Sequence, residues 1–552
     1  MRRQGDILTS KHGHAPWHRI IGLFMGLVLV AAACGGDDKA APGGDGGADG
    51  GETTTTADEG PQRQPVKGGE LVFGTESDVA TLAPGEAAQP SDKVITLGLY
   101  DPLTTYVDGE VVPFLAETLE ANDDLSQYTM TLREGVTFHD DTPLNADAVV
   151  KHFDRLKDPA TACPCLTTVS NIASMDVPDG PEGLTVVFHL ATPSVAFPND
   201  LASSAGYIES PTAVAGGLNL KTGAVGTGPF TLAEFSAGER VVLEANPNYW
   251  GTDEEGIQLP YLDKLTVVPI PDSGQRVAAL ETGDIDIFQT ADSKTVKQSE
   301  DAGFAAQKIS GSSSTIILLN MSKPPFDDER ARQALAYSID KDLINERAYD
   351  GVRVPSYSGF ALDSPYYNPD AGTPQYDPKK AEELVTDLGG LDFTLVCIPT
   401  PEAELILNII KQTGEDVGMN ITIETQEQGA FVNRIFSKGG DYEAACFRST
   451  HFIEPDAIRP GLTTDDAGNL VFYSNADVDR LLDEARQTGD FEERKAAYFE
   501  VQEITGEEVP LITTLYDLFG NVYDAGRVGP PPDGEPNSLG AIKPGLLYAV
   551  GG

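Results

Sequence analysis

Within ten residues, Phe447-Arg448-Ser449-Thr450-His451-Phe452-Ile453-Glu454-Pro455-Asp456, the chain carries a guanidinium, an imidazole and two carboxylates. Arg448 presents five donors in a planar fork that suits a carboxylate or a phosphate, and the same fork serves equally well for an acid of the protein itself. Catalytic patterns are missing: there is no Gly-x-Ser-x-Gly elbow, no His-Glu-x-x-His and no Walker A loop. A glycosidase-type carboxylate pair is not excluded by motif, because 86 Asp and Glu side chains supply countless pairs.

Cysteine and histidine spacing speaks against a metal or cofactor. Beyond the first 34 residues stand Cys163, Cys165, Cys397 and Cys446, with no Cys-x-x-Cys and only His139, His152, His189 and His451 to complement them. An even cysteine set suits disulfides in an exported protein. Cys397 and Cys446 lie in apolar extended runs, Leu395-Val396-Cys397-Ile398 and Ala444-Ala445-Cys446-Phe447, and bridge if those strands are neighbours. Cys163-Pro164-Cys165 then forms a local pair or stays as free thiols; buried free cysteines throughout are the competing reading.

Export is written at the N-terminus. Arg2, Arg3, Lys11 and Arg19 precede an apolar run from Ile20 to Ala33, shorter than the ~18 residues a membrane-crossing helix needs. That run reads as the core of a secretory signal over residues 1–33. Ala31-Ala32-Ala33-Cys34-Gly35 resembles the lipobox of bacterial lipoproteins, in which the cysteine is lipidated, so Cys34 is the expected anchor on the outer face of the cell membrane. Residues 34–65, rich in Gly, Asp, Ala and Thr, lack the apolar bulk to offset ordering entropy and read as a flexible tether.

The full chain of 552 residues has ordinary globular composition, 40% apolar and 22% charged, and is long enough for several domains. A net charge of −48 repels nucleic-acid phosphates, so partners are solutes or a membrane protein. Strand and helix signals alternate. Leu71–Phe73, Tyr128–Leu132 and Thr185–Phe188 read as strands. Phe393–Ile398, a helix capped by Thr400 with Pro401 at its first position, and Ile421–Thr425 make a βαβ unit with parallel strands. Asp377-Pro378 opens a helix that Gly389-Gly390 closes, and Asp490 caps another. The class is α/β.

Segments in a long ordered series are similar to the oligopeptide-, dipeptide- and nickel-binding proteins of bacterial ABC importers, solute-binding protein family 5. They include Gly69-Glu70-Leu71-Val72-Phe73-Gly74, Leu99-Tyr100-Asp101-Pro102-Leu103, the run from Tyr128 to Val149, Thr227-Gly228-Pro229-Phe230, Asn246-Pro247-Asn248-Tyr249-Trp250 and Ala279–Asp286. Pro325-Phe326-Asp327-Asp328 and Ile339-Asp340-Lys341 continue the series. The resemblance implies a two-lobed, periplasmic-binding-protein-like clamp of the class II type, monomeric and not an enzyme, which hands one solute to ABC permease subunits. It places lobe I at 66–97, 206–318 and 515–552, an inserted subdomain at 98–205 and lobe II at 319–514. The chain then crosses between lobes near Ile316–Asn320 and Leu511–Tyr516. A surface sensor or chaperone using the same clamp is sequence-silent, and a secreted hydrolase is disfavoured.

The same resemblance assigns ligand contacts to Gln89, Phe447, Arg448, Thr450, His451, Glu454 and Asp456. In peptide-binding members an aspartate four residues before the proline of the Asp/Glu-Pro pair receives the peptide's α-ammonium; matched on Pro455, that position is His451. An imidazole supplies no fixed negative charge, so the expected solute is peptide-like, or anionic or polyhydroxylated, with unmodified di- and tripeptides binding more weakly than in ordinary dipeptide binders. A shift of a few residues in the match brings Glu454 or Asp456 into the amine-binding role instead. Trp250 and the Phe138-His139-Asp140-Asp141 turn read as packing and as the lead into an Asn145-capped helix.

Overall fold

The computed structural model describes residues 64–550, apart from 88, 108, 162, 164, 438, 452 and 533–538 and the side chains of 167, 312 and 401. The expected signal, Cys34 and all but the last two residues of the tether lie outside the described residues. Two long strands, Ala305–Leu319 and Leu511–Tyr523, pair antiparallel at the middle of an eleven-stranded sheet. On one side Ala444–Thr450, Leu391–Cys397 and Met419–Thr425 continue it; on the other stand Ile287–Thr290, Glu70–Thr75, Lys264–Pro269, Arg240–Ala245 and Phe230–Ser236. Nearly every residue of Leu511–Tyr523 is buried, as a central strand covered on both faces requires.

The register between the two long strands breaks at Ser310–Ser314 and again at Ser314–Ile316. Such breaks bend and twist a strand pair, and this one falls somewhat before the crossing placed by sequence at Ile316–Asn320. Gly311 sits in it at φ +91, a conformation that a side chain resists, with Leu362 against its open side.

Separate cores flank the break. Phe393, Leu395, Ile410 and Ile421 pack with helices Glu329–Ser338, Lys341–Tyr349 and Pro401–Asp416 on one face; Phe360, Tyr473, Leu482 and Tyr498 pack on the other. Beyond it, Phe73, Ile95, Phe230 and Leu265 form another core. A second, four-stranded antiparallel sheet, built from Ala116–Ala121, Gln127–Leu132, Thr185–Leu190 and Ile172–Asp176, has its own core of Met130, Phe153, Phe188 and Phe197.

Local signals act where they stand. Thr400 Oγ1 accepts from Ala403 N at 3.1 Å and Pro401 opens the helix between two parallel strands in register from Leu391↔Met419 to Cys397↔Thr425. Asn145 Oδ1 accepts from Ala148 N at 3.0 Å, and Gly389 ends its helix in the left-handed conformation. Trp250 donates Nε1–H to Asp101 at 2.9 Å and meets Phe114 edge-on, a packing role.

Cys397 and Cys446 are bonded, with Cα atoms 5.1 Å apart, because Leu395↔Ala444 and Val396↔Ala445 bring their strands into direct parallel pairing. Cys163 and Cys165 are bonded to each other. Non-reducing peptide mapping is expected to join the Cys397 and Cys446 peptides; a link from either to Cys163 or Cys165 would disprove the pairing. Replacing both with Ala is expected to cost about 2–4 kcal/mol of unfolding free energy, read by denaturant titration.

Candidate functional site

Around the register break one buried carboxylate gathers three chain segments. Asp517, whose side chain is 3% exposed, accepts from Ser313 Oγ at 2.5 Å, Arg353 Nη1 at 2.8 Å and Arg448 Nε and Nη2, each at 2.8 Å. Arg353 is buried, lies 3.7 Å over the Tyr349 ring and donates to Ala291 O at 3.2 Å. Arg448 differs. Its side chain remains 54% exposed above Phe519, so two of its nitrogens are fixed by Asp517 while the rest of the fork faces outward. The protein acid that the sequence left open as a partner for Arg448 is therefore Asp517, and a guanidinium held along one edge still has donors along the other.

His451 is almost wholly buried. Its Nδ1 lies 2.7 Å from the Gly359 carbonyl, which only accepts, so Nδ1 carries the proton; Nε2, 2.6 Å from Ser314 Oγ, accepts in the neutral ring. Burial lowers its pKa from the ordinary histidine value, which favours that neutral form. Both nitrogens are thus engaged within the protein. Thr450 and His451 line a cavity of about 170 Å³, while half-buried Phe447 meets Phe436 edge-on.

Glu454 and Asp456 face elsewhere. Arg494 Nη2 binds Glu454 Oε1 at 2.5 Å and Asn199 Nδ2 donates to Glu454 Oε2 at 3.1 Å, tying the loop to the helix Phe491–Glu508 and to the segment beside the four-stranded sheet. Val195 N donates to Arg486 O at 2.9 Å, and Arg486 stands 3.6 Å from Asp456. Gln89 is exposed at the N-cap of the helix Pro90–Leu99, its N–H donating to Asp92, and no hydrogen bond or ion pair joins it to the other six among the described residues. The structure thus brings Arg448 to the Asp517 node, Thr450 and His451 to the cavity, and Glu454 and Asp456 to the Asn199–Asp200 contact. Sequence reasoning missed Asp517 and Arg353; the signal for Asp517 was its position as the one charged residue in the apolar strand Leu511–Tyr523.

At that last contact, burial and the facing Asp456 push the Asp200 carboxyl up to about 7, with Arg486 pulling the other way. A folded-state pKa raised above the unfolded ~3.9 means that stability is full below pH ~4 and lost as pH rises towards 7. Asp200→Asn keeps the size and removes the charge. The variant's melting temperature is expected to exceed the parent's by a few degrees at pH 8, with the difference shrinking towards pH 4; a pH-independent difference would refute the shift.

Comparison with known proteins places this architecture. Residues 110–466 match the model of bacterial extracellular solute-binding proteins, family 5. Glutathione-binding protein GsiB of Shigella flexneri is 28% identical over 83% of this chain and 91% of its own length. Among solved structures, the Helicobacter pylori periplasmic binding protein DppA in complex with the peptide STSA is 26% identical with a TM-score of 0.72, over 88% of this chain and 98% of that one. The ABC transporter substrate-binding protein CtaP of Listeria monocytogenes superposes with a TM-score of 0.75 at 25% identity, over 88% and 100%. With residues 110–466, most of the sequence, inside the match, the chain belongs to family 5 of the bacterial extracellular solute-binding proteins.

Proposed function

We propose that this protein captures a peptide-like solute bearing a carboxylate, holds it between lobes divided at 66–97, 206–318 and 515–552 against 319–514, with 98–205 as a subdomain of the first, and passes it to an ABC importer. The observation that carries the reading is Arg448, fixed along one edge by Asp517 and exposed along the other. A solute carboxylate meeting that outer edge gains charged hydrogen bonds without having to order the side chain first. Glutathione is a peptide with carboxylates, and relatives at 28% identity are named for binding it; a relative at 26% identity holds a peptide.

The α-ammonium end is the weaker half of recognition. Neutral His451 offers no counter-charge, and Glu454 is already paired with Arg494. A buried ammonium without its counter-ion costs several kcal/mol, so the protein selects for the anionic end of its solute. The Ala31–Cys34 sequence supports lipid anchoring of the monomer at the outer membrane face, at the end of a polar tether that lets the clamp reach its permease.

Calorimetry with glutathione, unmodified tripeptides and C-terminally amidated tripeptides is expected to rank the amides lowest, and each bound solute is recovered unchanged. Arg448→Ala is expected to weaken the carboxylated ligands by about 1–3 kcal/mol and leave the amides unaffected. Equal binding of acids and amides, or tight plain-peptide binding lost on Glu454→Gln, would replace this reading with ordinary amine recognition. Intact-mass analysis of the membrane-associated protein is expected to find a diacylglyceryl-modified Cys34 as the first residue, and Cys34→Ser to release the protein into the medium.

A further inference from the structure

The cavity behind Thr450 and His451 is polar by residue type and apolar by chemistry. Gln502 lines it, yet its Oε1 accepts from Ser358 Oγ at 3.0 Å and Asn368 N at 3.1 Å, while its Nε2 donates to Tyr366 O at 2.8 Å and Tyr498 O at 3.0 Å. Thr513 Oγ1 donates to Ser356 O at 2.8 Å, Thr505 Oγ1 to Val501 O at 2.8 Å, and both His451 nitrogens are engaged. Most of the exposed lining is carbon, with Ile316, Phe360, Leu462 and Leu511 among it. An ordered water needs two to four polar partners, and an apolar cavity of ~150 Å³ takes up benzene instead.

Gly359 and Gly461 stand in the lining. A side chain begun at Gly359 or at Gly461, both lining residues, meets nothing within 4 Å, and neither glycine has the positive φ that would itself demand glycine. The strand Ala444–Thr450 ends at this cavity, and Ser449 and Thr450 at that end carry no side-chain hydrogen bond among the described residues. Successive side chains of a strand point to opposite faces, so Ser449 and Thr450 stand on either side of its end. Arg448, two residues before the end, belongs to the same strand terminus.

We infer that this cavity is a specificity pocket for one apolar group of the solute, a branched alkyl chain or a single aromatic ring, with the Ser449 and Thr450 hydroxyls beside it and Arg448 holding the anionic end. The inference rests on the carboxylated-solute reading and adds to it the kind of side chain that is selected. At about 170 Å³ the space is of the size that takes one aromatic ring.

Calorimetry on tripeptides that differ only in one side chain, Gly, Ala, Leu, Phe or Trp, tests it in the full-length protein and in Gly461→Phe. The parent is expected to prefer Leu or Phe over Gly by about tenfold or more, with Trp falling back. Gly461→Phe plugs the pocket: the preference is expected to collapse while the glycine peptide keeps its affinity. Ala457→Phe, at an exposed lining residue, repeats the plug from another side should Gly461→Phe fold poorly. Equal affinity across the series in the parent, or an equal loss for every peptide in both plugged variants, overturns the pocket. Should no peptide bind, the carboxylated-solute reading fails by itself, and the pocket is then judged with benzene. A benzene-induced rise in melting temperature in the parent that is absent from the plugged variant sustains it; no rise in the parent overturns it.

Discussion

The Asp517 carboxylate is the interaction on which the working region depends. It lies in the second crossing strand, out of water, and receives a hydroxyl from the first crossing strand and guanidinium groups from two further segments. Taking a carboxylate out of water costs several kcal/mol, which only well-placed charged donors offset. Ser313, Arg353 and Arg448 are therefore held to that point, and through them the register break, the segment before Pro355 and the strand Ala444–Thr450 share one geometry. Removing Asp517 would leave two guanidinium groups facing each other with one partner lost, a larger disturbance than removing either arginine.

That arrangement also answers a difficulty set by composition. A chain of net charge −48 repels anionic solutes at a distance. Screening limits such long-range repulsion to roughly the 8–10 Å Debye length at physiological salt, whereas a contact at hydrogen-bond distance in a partly buried site is screened far less. Glu402, 3.8 Å from Arg353, and Asp517 together balance the two guanidinium groups, but the exposed edge of Arg448 still presents a positive contact that acts against the distant field. Binding of an anion at Arg448 is then governed by the local term, with the overall acidity acting on the approach rate.

Much of the fold was legible because its signals are local. Thr400-Pro401, Asn145, Asp490 and Gly389 each end or begin a helix through a hydrogen bond or a backbone conformation confined to a few residues. Parallel pairing of the Cys397 strand followed from the βαβ spacing. The site was legible only in part. Arg448 and His451 were found by the resemblance, but their partners Asp517, Ser314 and Gly359 lie 69, 137 and 92 residues away in sequence. No periodicity reports such contacts. The register break was not legible at all, since its cause is the pairing of two strands and not the composition of either.

His451 shows what an imidazole does at the position where the resemblance to peptide binders expects an aspartate. A carboxylate at this buried position, between Gly359 O and Ser314 Oγ, would set its negative charge against a carbonyl oxygen and need a cation close by to remain ionised. The imidazole reverses that demand: it donates to the carbonyl, accepts from the hydroxyl and stays neutral at no cost in counter-charge. On the proposed reading, charge recognition then moves away from this end and discrimination between solutes passes to shape, with the anionic contact at Arg448, where Asp517 pre-orients a donor that stays half-exposed. On the same reading a solute meets one anionic contact at Arg448 and one apolar contact at the cavity, and a closure of the two lobes that excluded water would strengthen both.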